Sequence, residues 1–144
     1  MGKIKAFIDA NIWYSASNKS TGHSRQLLSG ILPNIELTTS IPALEEAVKN
    51  LSEEAPNRIY VLESLIKGLG SELKTLSHPG NKLISESLSQ VKDHRDAIIL
   101  GSAKEANTDY LVTWNTKDFI QDKISDIKIV TPAELVKILA SEET

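Results

Sequence analysis

Four acidic residues stand near the ends of predicted strands and helices in four separate segments of the chain: Asp9, Glu46, Asp96 and Asp118. Asp9 ends the apolar, β-branched run 4–8, which predicts a first strand. In an open parallel sheet, ligands bind outside the carboxyl ends of the strands. We therefore expect the four carboxylates to converge at one edge of a sheet.

Carboxylates gathered in this way repel one another, and some stay protonated unless a cation lies among them. Their oxygen atoms suit hard cations such as Mg²⁺ or Mn²⁺, which keep water ligands and accept phosphate oxygens. Such a site can activate a metal-bound water and stabilise the leaving oxygen of a phosphodiester. The constellation predicts metal-dependent phosphodiester hydrolysis.

Each acid taken alone has a simpler interpretation. Asp93 and Asp96 can cap a helix and favour its dipole. Glu45 or Glu46 can be a solvated helix residue, and Asp118 can cap a short turn. The prediction of a site therefore depends on the four acids together.

Strands and helices alternate along the chain at lengths that imply βαβ crossovers. The predicted strands are 4–8, 35–40, 72–77, 109–114 and 127–130. The predicted helices are 24–32, 42–51, 55–70, 81–91, 95–106 and 132–140, with Ser24 and Ser40 as candidate N-caps. We expect a three-layer α/β/α sandwich with a mostly parallel central sheet, in one domain over residues 1–144.

Composition limits the chemistry further. The 144 residues contain no cysteine, which excludes disulfides, thiolate catalysis and cysteine metal sites and fits a reducing cytoplasm. No apolar run approaches the length of a membrane span, so we expect no membrane association. The net charge is −3, so a nucleic-acid substrate requires a local basic patch or metal ions that offset the acids. Arg95, Lys104, Lys117 and Lys123 are candidates for phosphate contact.

Four segments resemble the PIN-domain family in their order and spacing. They are FIDANIWYSA (7–16), SIPALEEAVKNL (40–51), RDAIILGSAKEANTDYLVTWNTKDF (95–119) and IKIVTPAEL (127–135). That family includes the VapC-type toxins of toxin–antitoxin pairs and PilT N-terminus-like ribonucleases. The resemblance covers nearly the whole chain.

The resemblance implies a role for each acid. Asp9, Asp96 and Asp118 match the metal ligands of the family, and Glu46 matches a further catalytic acid by its spacing from Ser40. Glu45 is one residue away and competes with Glu46 for that role.

The resemblance also implies supporting residues. Asn11 is expected to orient Asp9, and Thr113 to bond either a carboxylate or the attacking water. Asp93 is a peripheral acid or a helix cap. At position 115 some members of the family have Asp, whereas this chain has Asn, which offers a carbonyl oxygen but one negative charge fewer.

The function that the resemblance implies is a Mg²⁺- or Mn²⁺-dependent endoribonuclease that cuts single-stranded or loop RNA. Its expected setting is the toxin of a toxin–antitoxin pair, a homodimer neutralised by an antitoxin protein. The alternative is a PIN-like module that binds RNA or protein with weak or no nuclease activity, and Asn115 motivates it. Trp13 and Trp114 flank the predicted site, and each either stacks on unpaired bases or packs inside the protein.

Overall fold

Five parallel strands form one sheet in the computed structural model, which describes residues 3–142 and the side chains up to Ser141. The strands are β1 (Ile4–Ile8), β2 (Ile35–Ser40), β3 (Leu73–Leu76), β4 (Tyr110–Val112) and β5 (Lys128–Val130). Their order in the sheet is β3-β2-β1-β4-β5, and every neighbouring pair is parallel. The predicted mostly parallel sheet is confirmed.

Seven α-helices connect and flank the strands within the described residues. They are α1 (Ala10–Asn18), α2 (His23–Leu28), α3 (Ile41–Glu54), α4 (Ile59–Leu69), α5 (Asn81–Ser87), α6 (His94–Glu105) and α7 (Pro132–Glu142). The predicted helix 55–70 begins with a separate 3₁₀ turn, Pro56–Arg58, and the predicted helix 81–91 ends in another, Leu88–Gln90.

Helix α1 is the one α-helix of the described chain that the sequence interpretation did not include. It begins directly after β1, because Asp9 keeps extended backbone angles and its side chain accepts a hydrogen bond from Ala10 N at 2.7 Å. This is the geometry of an N-cap. One carboxylate therefore ends the strand and begins the helix.

The predicted N-caps have different outcomes. Ser40 caps α3 as expected, since its Oγ accepts a hydrogen bond from Ala43 N at 3.2 Å. Ser24 was wrongly predicted as a cap, because α2 already begins at His23 after Gly22. Ser24 instead lies buried inside the helix, with its Oγ 2.6 Å from Ser15 Oγ on α1.

The apolar residues of β1 point alternately to the two faces of the sheet, and each face packs against its own core. Ala6 and Ile8 join a cluster that includes buried residues of α1, α2, α3, α4 and α7. Phe7 joins a second cluster, built largely from α5, α6 and the segments around β4 and β5. Because successive strand residues face opposite sides, one short strand serves both cores. The predicted three-layer α/β/α sandwich is confirmed.

Trp13 belongs to the first core. It is fully buried, and its Nε1 donates to Thr39 Oγ1 at 2.9 Å. The Thr39 hydroxyl in turn donates to the Ile8 carbonyl oxygen at 2.9 Å. Packing is thus the role of Trp13, and its indole links α1 to β2.

The strand order creates a crevice between β1 and β4. The chain runs from β1 outward to β2 and β3, and then returns to add β4 and β5 on the other side of β1. At such a switch point the connections leave in opposite directions, so the carboxyl ends of the two strands are left open. No helix among residues 3–142 is long and apolar enough to cross a membrane.

We expect Trp13→Ala to lower the free energy of unfolding by about 3–5 kcal/mol, since it leaves a large cavity and removes the donor to the Thr39 hydroxyl oxygen. Urea unfolding followed by circular dichroism measures this change. Tyr60, an exposed aromatic residue of α4, offers the matched control. Tyr60→Ala should cost less than about 1 kcal/mol, and equal losses for the two variants would contradict the core position of Trp13.

Candidate active site

An open cavity of about 630 Å³ lies at the carboxyl ends of β1 and β4. The residues that line it include all four predicted acids, with three asparagines and one further acid: Asp9, Asn11, Glu46, Asn50, Asp93, Asp96, Asn115 and Asp118. They come from α1, α3, α6 and the loop after β4. The expected convergence of these side chains is therefore present in the fold.

Asp9 is the most deeply buried of these acids, with 7% of its surface exposed. The pKa of Asp9 is raised to about 6, chiefly by burial. Hydrogen bonds from Thr113 and Ala10 lower the pKa, and the negative charges of Glu46 and Asp118 add to the rise. A carboxylate in this environment is held in place by donors but lacks a neutralising charge.

Thr113 is the centre of the hydrogen bonds around Asp9. Its buried hydroxyl donates to Asp9 Oδ2 at 2.9 Å and accepts from Asn11 Nδ2 at 3.0 Å and from the Asn115 N–H at 3.1 Å. A hydroxyl has one proton and two lone pairs, so all three are in use. Thr113 therefore serves the carboxylate and has no proton left for a water, and Asn11 acts on Asp9 through Thr113.

Asp96 lies in the first turn of α6 and lines the cavity. Partial burial raises its pKa to about 7, assisted by the charges of Asp118, Asp9 and Asp93, while Arg95 opposes the shift. Asp93 is the N-cap of α6, since its Oδ1 accepts from Arg95 N at 2.9 Å. Of the two roles considered for Asp93, peripheral acid or helix cap, the hydrogen bond to Arg95 N fits the helix cap.

Glu46 and Glu45 occupy different surfaces of α3. Glu46 lines the cavity, and its Oε1 accepts a hydrogen bond from Arg95 Nη1 at 3.0 Å. Glu45 is exposed and lines a separate shallow groove with Ile41 and Val48. Because a helix turns about 100° per residue, only one of two consecutive glutamates can face the cavity, and the geometry favours Glu46.

Asp118 is presented by a 3₁₀ turn, Thr116–Asp118, that follows β4. Its backbone N–H donates to the Asn115 carbonyl oxygen at 3.0 Å, and its own carbonyl oxygen accepts from Lys92 N at 3.0 Å. The second bond joins this turn to the segment before α6. Asp118 is thereby held beside Asp96, whose pKa it raises.

The cationic residues of the cavity were only partly predicted. Arg95 lines it, whereas Lys104, Lys117 and Lys123 are not among its lining residues. Lys92, which the sequence interpretation missed, is the second cation of the described lining. Its position depends on the backbone bond to Asp118, and such a contact between distant segments leaves no local pattern in the sequence.

The acids line one cavity, but they do not form a closed coordination shell for a metal ion. Among the described residues, no three His, Cys, Asp or Glu side chains are gathered tightly enough to hold a bare ion. Mg²⁺ usually keeps several waters and takes one or two carboxylates, so a hydrated ion does not require a closed shell. The all-oxygen donors and the raised pKa values of Asp9 and Asp96 fit such a cation, which Asp9, Asp96 and Asp118 could hold partly through water.

The raised acid pKa values predict a pH-dependent cost to folding. Below pH 3.8, the ordinary pKa of Asp, the folded and unfolded states are both protonated and Asp96 contributes nothing. Between 3.8 and about 7 the unfolded state loses its proton first, so the unfolding free energy falls as pH rises. Above about 7 the full cost is present.

In metal-free buffer at pH 8, Asp96→Asn should therefore raise the unfolding free energy by about 1 kcal/mol, because solvent screens much of the effect at a partly exposed group. The gain should shrink toward pH 4, as urea unfolding at several pH values will measure. Asp122→Asn, at an exposed position, is the control and should leave stability unchanged. A loss of stability in Asp96→Asn at pH 8 would contradict the cost that burial and neighbouring acids impose on the Asp96 carboxylate.

Comparison with known proteins agrees with this architecture. The protein PAE2754 of Pyrobaculum aerophilum is 19% identical, with 96% of this chain and 98% of that chain covered and a TM-score of 0.65. VapBC2 of Rickettsia felis, solved bound to a DNA fragment from its promoter, is 19% identical with a TM-score of 0.64, over 88% and 97% of the two chains. VapC20 of Mycobacterium tuberculosis, described as a sarcin–ricin loop cleaving toxin, is 13% identical with a TM-score of 0.55, over 74% and 86%.

Likeness at these identities shows a shared fold. No curated protein matches the chain by sequence. The sequence pattern of the PIN domain matches residues 5–117, which span β1 to the turn that carries Asp118. Both the fold and the sequence pattern thus lead to one assignment: this chain belongs to the PIN domain family.

Proposed function

We propose that the protein is a Mg²⁺- or Mn²⁺-dependent endoribonuclease of the VapC type, which hydrolyses phosphodiester bonds of single-stranded or loop RNA. The observation that carries the proposal is the cavity at the switch point, where Asp9 and Asp96 both have raised pKa values beside Asp118. The burial of these carboxylates and their mutual repulsion are a cost to folding that a bound cation would offset. Strongly shifted carboxylates in a cleft are typical of functional sites.

In this proposal Asp9, Asp96 and Asp118 hold the divalent ion. The bound ion would supply charge neutralisation at the phosphate and a more acidic water. The role of the chain is to keep the three carboxylates in place. Thr113 does so for Asp9. The hydrogen bond from the Thr113 hydroxyl to Asp9 Oδ2 favours the ionised carboxylate and keeps the side chain from rotating.

Glu46 is the proposed acid that receives a proton from the attacking water. It faces the cavity and is held there by Arg95, whose guanidinium also lines the cavity. An exposed ion pair of this kind contributes little to stability, so Arg95 is free to exchange Glu46 for a substrate phosphate. Asn115 lines the same cavity.

The relatives and the shape of the site support an RNA substrate. VapC20, which shares the fold, is described as cleaving the sarcin–ricin loop, and this supports loop RNA for the present chain. The cavity is open enough to admit a flexible strand. The solved relatives named VapBC support an antitoxin partner. We also propose that the protein is a homodimer and acts in the cytoplasm. The reducing conditions there suit a protein without cysteine.

The second candidate function is a binding module with weak cleavage, and the Asn at position 115 motivates it. With one negative charge fewer, the site would bind a cation more weakly, and the protein would then act as an RNA- or protein-binding module with weak cleavage. Retention of the four acids in one cavity favours the nuclease.

Wild-type protein with Mn²⁺ should cleave a mixed pool of single-stranded RNA, and EDTA should stop the cleavage. Asp96→Asn and Asp118→Asn should each lower the cleavage rate by about 10²-fold or more, because each removes a charge that holds the ion. Gel analysis of end-labelled RNA measures the rate. RNA binding by the wild type without any Mn²⁺-dependent cleavage would favour the binding module.

Glu46→Gln should lower the cleavage rate by about 10²-fold, since it removes the proposed proton acceptor. Glu45→Gln is the matched control, one residue away on the outer surface of α3, and should cleave at the wild-type rate. Stabilisation of Glu46→Gln by Mn²⁺ in thermal unfolding should persist. The opposite order of the two variants would assign the role to Glu45.

A further inference from the structure

The two tryptophans of the chain have opposite environments. Trp13 is fully buried, whereas Trp114 keeps 42% of its surface exposed, between Thr113 and Asn115. Both of these neighbours belong to the candidate active site. An exposed indole beside a charged cavity is an apolar surface that has no partner within the folded chain's core clusters.

Trp114 is nevertheless fixed at both ends. Its Nε1 donates to Ser15 Oγ at 3.0 Å and to Ser24 Oγ at 3.2 Å. Its backbone N–H donates to Asn11 Oδ1 at 3.1 Å. Serines of α1 and α2 thus hold the ring edge, and the remaining surface of the ring is presented in one orientation. A ring held in this way loses little conformational entropy when a ligand stacks on it.

The hydrogen bonds connect Trp114 to the reacting end of the site. Asn11, which accepts from the Trp114 backbone, also donates to Thr113, and Thr113 donates to Asp9. Ser15 lies four residues after Asn11 in α1, which is about 6 Å along the helix axis. The indole therefore lies roughly one helical turn from the cavity wall, at a distance set by a rigid element.

The charge of the cavity makes such a surface necessary for an RNA ligand. Its described lining carries five carboxylates, including the cap Asp93, against two cations, Lys92 and Arg95. The chain as a whole has a net charge of −3. Affinity for RNA usually comes from basic residues on phosphates, and here that contribution is small. Stacking of a base on an aromatic ring supplies about 1–3 kcal/mol without any charge.

We propose that Trp114 is a stacking platform for an unpaired RNA base next to the phosphate that is cut, and that it sets a preference for a purine there. The inference rests on the proposed ribonuclease function and adds the residue that places the substrate. A purine offers the larger π-face to the indole. The bonds from Ser15 and Ser24 to the ring position the platform relative to Asp9.

The test compares variants that separate stacking from packing. Trp114→Phe keeps an aromatic face but loses the indole N–H, and Trp114→Leu keeps apolar bulk without a π-face. We expect Trp114→Leu to raise KM for short single-stranded RNA by about 5- to 140-fold, the range that corresponds to one stacked base. Trp114→Phe should stay within about 5-fold of the wild type. The purine preference should be lost in Trp114→Leu.

A binding measurement tests the same idea without cleavage. With Mg²⁺ and in the Glu46→Gln background, where cleavage is slow, single-stranded oligonucleotides should quench part of the tryptophan fluorescence, and purine-rich ones should do so at lower concentration. The quenching must come from Trp114, because Trp13 is buried, and it should vanish in Trp114→Phe. Urea unfolding and Mn²⁺ stabilisation of each variant show that fold and ion site are intact.

These experiments distinguish failure of the stacking platform from failure of the proposed nuclease function. Cleavage by Trp114→Leu with unchanged KM and unchanged base preference would overturn the platform and leave the nuclease standing. Quenching by RNA in a protein that never cleaves would support the platform and overturn the nuclease. Fluorescence that single-stranded RNA leaves unchanged would overturn the platform and leave Trp114 as a packing residue or a protein contact.

Discussion

The hydrogen bond from Thr113 to the buried Asp9 carboxylate joins the two halves of this fold at its functional edge. Asp9 closes β1 and caps α1, and Thr113 follows β4, so one contact ties the first strand to an element about a hundred residues later. The same hydroxyl accepts from Asn11 and from the Asn115 backbone. The loop that carries Trp114 and leads to Asp118 is thereby positioned against the carboxylate that the strand delivers.

The burial of ionisable carboxylates, together with their mutual repulsion, opposes this arrangement. Burial and neighbouring acids raise the pKa of Asp9 to about 6 and of Asp96 to about 7, so the folded chain holds ionised carboxylates at a cost. The surrounding structure offsets that cost with two full cores and with linking bonds such as that of Trp13 to Thr39. The carboxylates of the cavity lower the free energy of unfolding, and a bound cation would raise it again.

The elements were largely predictable because their patterns are local. The strands 4–8 and 35–40 were predicted with the bounds that the structure has, and Ser40 caps its helix as expected. Helix α1 was missed because Asp9 was interpreted only as the end of a strand, although Asp followed by apolar residues at 12, 13 and 16 is also a helix start. Helices 55–70 and 81–91 were right in kind, but each contains a 3₁₀ turn.

The sequence by itself determined the α/β class, the identity of the acids and their family pattern, because residue types and short-range periodicity carry that information. Tertiary structure alone decided which glutamate of the pair at 45 and 46 faces the cavity, and which tryptophan is buried. It also decided that the Thr113 hydroxyl donates its hydrogen bond to Asp9 and that Lys92 lines the cavity. These outcomes depend on the order of strands in the sheet and on contacts between distant segments, and neither leaves a local trace along the chain.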